Sequence, residues 1–115
     1  MQQLGRTIGV AHDYQELIAA LRARQTELNV AYSTIDEVSG LPQNYVSKLL
    51  AQMPIKGLGR ISLGPLLGSL GLVLIVAEDL EALQRVRSRL VPRTDSDLLR
   101  IESNRQTRAA KAANL

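Results

Sequence analysis

Cysteine, tryptophan and phenylalanine are absent from this chain, and histidine occurs once. Without thiols there is no disulfide framework, no thiolate metal site and no thiol nucleophile, and His12 alone cannot supply a multi-histidine zinc site. A cysteine-free chain suits a reducing, cytoplasmic setting. The opening Met-Gln-Gln-Leu-Gly-Arg has no apolar core of a secretory signal. Catalytic constellations are lacking as well. His12 has no serine placed near it as a nucleophile, and Asp36 and Glu37, adjacent on a helix, point in different directions. Gly57-Leu-Gly-Arg-Ile-Ser looks like half of a dinucleotide loop, yet it has no preceding strand and no third glycine. These absences predict a protein that is not an enzyme and needs neither metal nor cofactor.

What is present is a 115-residue chain with 45% hydrophobic residues, enough for one domain whose small core favours completion by a second subunit. The net charge of +3 is unevenly spread. Residues 1–84 hold six Lys or Arg and eight Asp or Glu, a balance of −2, whereas residues 85–115 hold eight and three, a balance of +5. A basic last quarter suits contact with nucleic acid or another acidic surface, and equally a solubilising tail. Residues 61–77 carry no charge, but Pro65 and three glycines interrupt them, so a membrane span is not expected.

The local signals predict a mainly α fold. Residues 1–12, with Gly5 and Gly9 and no period, read as a flexible lead-in. Asp13 and Glu16 have capping-box spacing, and Leu17, Ile18, Leu21 and Leu28 follow at helical intervals, which predicts a first helix over about residues 14–26. A second begins at Ser33 or Thr34, buries Ile35 and Val38 and stops at Gly40. Pro42 opens a third, running to about Gln52 and burying Val46, Leu49 and Leu50. Ser62 is placed to cap a fourth with Pro65 in its first turn, followed by Leu66, Leu67 and Leu70.

The β-branched run Leu72, Val73, Leu74, Ile75, Val76, Ala77 reads as a strand buried on both faces. With no second strand in the chain, it is expected to pair with its copy across a twofold axis, making residues 72–76 the dimerisation element. A further helix carries Leu80, Leu83, Val86 and Leu90 and ends before Pro92. Residues 13–91 are thus one domain. Residues 92–115 are a basic tail, expected to be disordered apart from a possible turn around Leu98, Leu99 and Ile101.

Ser33 to Leu50, with Ile35, Gly40, Val46 and Leu49 at packing and turn positions, resembles the helix-turn-helix of Cro and the phage repressors, the XRE superfamily. Asp36 stands where that family has a small buried alanine, and Tyr32 stands near its phosphate-contacting glutamine. The terminal strand resembles the antitoxin members, whose strands pair across a dimer. The resemblance implies a compact repressor-like bundle whose third helix enters the major groove of double-stranded DNA. Gln43 and Asn44 suit adenine, Lys48 a guanine or a phosphate, and Ser47 is an adaptable hydroxyl. Lys56 and Arg60 follow where such repressors meet phosphates, and Arg22 and Arg24 are further candidates, although ordinary surface charge accounts for any one of these four. The function implied is a cytoplasmic homodimeric regulator, a repressor of a palindromic operator. The alternatives are an antitoxin that also holds a toxin, and a protein-interaction module such as an antiactivator, in which the motif holds a transcription factor instead of DNA.

Overall fold

The computed structural model describes residues 2–51, 54 and 56–113. The fold is mainly α: α1 (Tyr14–Leu28), α2 (Tyr32–Ser39), α3 (Tyr45–Leu49), α4 (Arg60–Ser69), α5 (Leu80–Val86), a 3-10 turn (Arg87–Arg89) and α6 (Asp95–Ala113). The chain divides into two units, Met1–Ile75 and Val76–Leu115.

In the first unit, α1 begins where Asp13 accepts the N–H of Glu16 at 2.8 Å. Glu16 reaches back one residue further than a capping box requires, accepting the backbone N–H of His12 at 2.9 Å. The helix runs two residues past its expected end and closes at Asn29, whose φ of 53° is left-handed. Ile18 and Leu21 of α1 meet Ile35 of α2, Val46, Leu49 and Leu50 of the α3 region, and Leu66 and Leu70 of the α4 region in one core.

Val38, expected inside, is 67% exposed. The face that α2 turns inward carries Ile35 and Asp36 instead, so Val38 is rotated outward. α4 starts at Arg60, two residues before the expected cap, because Ser62 acts from the third helical position and its Oγ accepts the N–H of Gly59 at 3.0 Å. Pro65 therefore lies in the second turn, where its missing N–H leaves one helical bond unmade.

The lead-in is pinned rather than free. Arg6 pairs with Glu27 at 2.6 Å, and a Cβ on Gly9 would lie 3.8 Å from that of Ala20. With His12 bonded to Glu16, the segment runs back along α1 in the opposite direction. Hydrogen bonds from Arg6 and then Arg24 hold the Glu27 carboxyl below the usual carboxylate range.

No strand forms among the described residues. Leu72 donates to Leu67 O at 2.9 Å, closing α4 after Gly71 takes a left-handed φ of 65°. Val73 to Glu78 make no backbone hydrogen bond among the described residues. The expected dimerisation strand is thus an irregular segment: a single chain offers it no ladder partner. Leu72 packs against the core, but Val73, Leu74 and Ile75 are exposed and Val76 is fully so.

In the second unit Asp79 caps α5 by accepting the N–H of Ala82 at 3.1 Å, and the helix tightens into the 3-10 turn before Pro92. The tail expected to be disordered is helical from Asp95. Thr94 and Asp97 cap it reciprocally, each side chain accepting the other's backbone N–H at 3.2 Å. α6 buries no residue, consistent with how little its sequence has to bury. No helix among the described residues is long and apolar enough to cross a membrane.

Candidate nucleic-acid interface

The third helix is the shortest in the first unit, five residues. One and a half turns cannot recover the cost of nucleating a helix in isolation, so its ends must be held from outside. Asp36 does this at the N-terminus. It is 5% exposed, its Oδ2 accepts the N–H of Asn44 at 2.9 Å and its Oδ1 accepts that of Val46 at 3.0 Å. The carboxylate satisfies two donors at the positive end of the helix.

Arg22 holds the other end. Its Nε donates to Leu50 O at 2.7 Å and its Nη2 to Ala51 O at 3.0 Å, where a cation complements the partial negative charge of a helix C-terminus. Arg24 does the same for α4 through Leu70 O at 3.0 Å and also pairs with Glu27. Neither arginine points at a partner outside the fold, so the phosphate contacts considered for them are replaced by internal ones.

The expected recognition helix starts three residues later than Pro42. Asn44 takes a left-handed φ of 68°, which breaks the helical path, and Tyr45 N closes a turn onto Pro42 O at 3.1 Å. Gln43 and Asn44 therefore sit on the turn before α3, not on its first coil. Both are exposed, as is Lys48, while Ser47 is half-buried and donates to Asn44 O at 3.0 Å. The expected helix end at Gln52 lies outside the described residues.

Two tyrosines tie the following loop to this element. Tyr45 Oη donates to Gly57 O at 2.9 Å and lies 2.8 Å from Ser62 Oγ, and Tyr14 Oη accepts the N–H of Leu58 at 2.7 Å. The backbone between Lys56 and Arg60 is thereby fixed against α3 and the start of α1. Gly57, which suggested part of a cofactor loop, is the point both tyrosines approach.

The chain matches no protein-family model, no curated protein and no solved structure. The chemistry of the site therefore rests on its own geometry. Six cations lie in the first unit, and Arg6, Arg22 and Arg24 are all engaged internally. Lys48, Lys56 and Arg60 are exposed and have no ion-pair partner among the described residues. Four of the five acids there, Asp13, Glu16, Glu27 and Asp36, are likewise engaged, leaving Glu37. Divided at Ile75, the first unit has six cations and five acids, so the −2 balance belongs to a boundary the fold does not use.

Among the described residues no cluster of three potential metal-ligating side chains occurs. Asp36, Arg22 and Tyr14 are the positioning residues that local sequence patterns miss, because each acts on backbone at least eight positions away. For Asp36 one signal was available: a carboxylate at an otherwise apolar packing position needs donors, and the next helix start is the nearest supply.

Proposed function

We propose that the first unit is a helix-turn-helix module that binds double-stranded DNA, and that the protein is a cytoplasmic, homodimeric transcriptional regulator repressing a palindromic operator. The observation that carries this reading is where the uncommitted cations lie. The fold consumes every other cation of the unit and leaves Lys48, Lys56 and Arg60 on α3 and the loop and helix after it. Next to them Gln43 and Asn44 offer the two amide side chains suited to bidentate bonds with adenine. The phosphate-directed cations supply affinity and the amides supply sequence discrimination. The resemblance of Ser33–Leu50 to the Cro and phage-repressor motif supports the same role.

The dimer is proposed from the exposed Val73–Val76 run, whose backbone groups and apolar side chains an antiparallel copy of the same segment would pair and cover. Two α3 tips related in this way would meet half-sites about one helical turn, ~34 Å, apart. A second reading draws on the same run: in an antitoxin or an antiactivator, a different protein would cover it.

Selection from a genomic fragment library, read by fluorescence anisotropy, tests the proposal. A Gln43→Ala, Asn44→Gly double variant should lose discrimination between selected and random sites; glycine is used at 44 because alanine at that positive φ would add strain. Undiminished discrimination removes the base-reading assignment. No DNA retention even at low salt, with a stoichiometric protein partner on purification, selects the second reading.

A further inference from the structure

The second unit carries eight cations and six acids, yet its cations are mostly unanswered. Arg100 pairs with Asp97 at 3.1 Å, and the other seven have no ion-pair partner among the described residues. They fall into two groups. Arg85, Arg87, Arg89 and Arg93 are exposed on the end of α5, the 3-10 turn and the linker, in a stretch with no acid between Ala82 and Thr94. Arg105, Arg108 and Lys111 follow at intervals of three along α6, beyond its last acid, Glu102.

The face of α6 narrows the choice of partner. Leu98, Ile101, Arg105, Arg108 and Ala112 recur at alternating steps of three and four, the spacing of a coiled-coil seam. The seam is apolar for one turn and then cationic. A parallel second copy would set Arg105 and Arg108 against their own equivalents, so self-pairing is opposed by like charge. A protein partner would find only alanine as apolar anchor beyond Ile101, without the large side chains that form the energetic centre of such interfaces. A phosphate backbone needs no apolar anchor, and six of the seven unpaired cations are arginines, whose planar fork bonds phosphate in pairs.

We propose that residues 85–113 are a second, sequence-indifferent grip on duplex DNA, in which the linker arginines and the Arg105–Arg108–Lys111 stripe hold phosphates. Helix α6 is about 28 Å long at ~1.5 Å per residue, enough to follow several phosphates. This inference rests on the DNA-binding reading only for the choice of polyanion; it makes no use of Gln43 or Asn44.

The test is binding of the full chain to a short random-sequence duplex by anisotropy, over a fourfold range of salt. A triple variant, Arg105→Gln, Arg108→Gln, Lys111→Gln, keeps good helix formers, and unchanged far-UV circular dichroism establishes that α6 is intact. The slope of log affinity against log salt should fall by about 2.7, three lost phosphate contacts at ~0.9 each, which is about a 40-fold smaller change across that range. A companion variant, Arg85→Gln, Arg87→Gln, Arg89→Gln, Arg93→Gln, should lower it by about 3.6 on the same basis. The Gln43→Ala, Asn44→Gly variant should leave the slope unchanged. Slopes that stay at the parent value in both arginine variants overturn the inference, as does polyglutamate competing as well as DNA at equal charge. Full parental slope without any site preference would keep the second grip and remove the regulator reading.

Discussion

Replacing Asp36 by alanine separates two opposite expectations for this residue. If the carboxylate were a misfit between packed helices, alanine would be neutral or stabilising, since it relieves desolvation of a charge and improves helix propensity by up to about 0.7 kcal/mol. The geometry predicts the reverse. Asp36 accepts the N–H groups of Asn44 and Val46, and its removal leaves both donors at the start of a five-residue helix. Bonds to a charged acceptor contribute roughly 1.5–3 kcal/mol, and an abandoned buried donor costs about 1–3 kcal/mol. The Val46 bond is buried and the Asn44 bond partly so, so the loss should total about 3 kcal/mol. That is a large share of the roughly 5–15 kcal/mol that stabilises a domain. In urea, with a slope of about 1.5 kcal/mol per molar, the midpoint should fall by about 2 M. The transition is followed by far-UV circular dichroism, because the chain has no tryptophan. Asp36→Asn should lose less, its amide oxygen still able to accept one N–H while its NH2 faces the other. Amide exchange at Val46 should accelerate in both. An Asp36→Ala midpoint at or above the parent's would refute the capping role.

Three further outcomes are expected. Arg22→Met keeps the stem packed but removes both donors to Leu50 O and Ala51 O; it should destabilise by about 2 kcal/mol in the same urea assay, and loss of less than a few tenths would show that water serves those carbonyls as well. Tyr14→Phe should leave the core intact and speed amide exchange at Leu58, whose N–H it alone accepts among the described residues; unchanged exchange at Leu58 would mean the loop is held from elsewhere. For Glu27, the folded-state pKa is lowered by Arg6 and Arg24, so its contribution is present above about pH 4.5 and is lost as pH falls through the lower folded value. Residues 6–12 should therefore detach from α1 first in acid, seen as amide shift changes at Gly9, and Arg6→Ala should move the Glu27 midpoint upward in a carboxyl NMR titration.

Local pattern is enough to place α1 and α2 to within two residues and α4 to within three, to choose Ile18, Leu21, Ile35, Val46, Leu49, Leu50, Leu66 and Leu70 as core, though it adds the exposed Val38, and to find the turn at Gly40. These follow from helical periodicity, capping side chains and the left-handed conformation, all of which act within a turn or two along the chain. The misplaced start of α3 also has a local cause, the positive φ at Asn44, but a sequence that permits it does not require it.

What only the tertiary structure decided is how the polar side chains are spent. By sequence Arg22 and Arg24 are as free to meet phosphate as Lys48, Lys56 and Arg60, and Asp36 is a departure from a packing rule. In the fold two of those cations close the ends of α3 and α4, the aspartate opens α3, and two tyrosines fasten the loop beyond it. The physical reason is that a helix end presents unpaired backbone groups whose partners are supplied by whatever chain segment packs beside it. The backbone groups reached by Arg22, Tyr14 and Arg24 lie 28, 44 and 46 positions away in sequence, far beyond the span over which periodicity and capping rules operate.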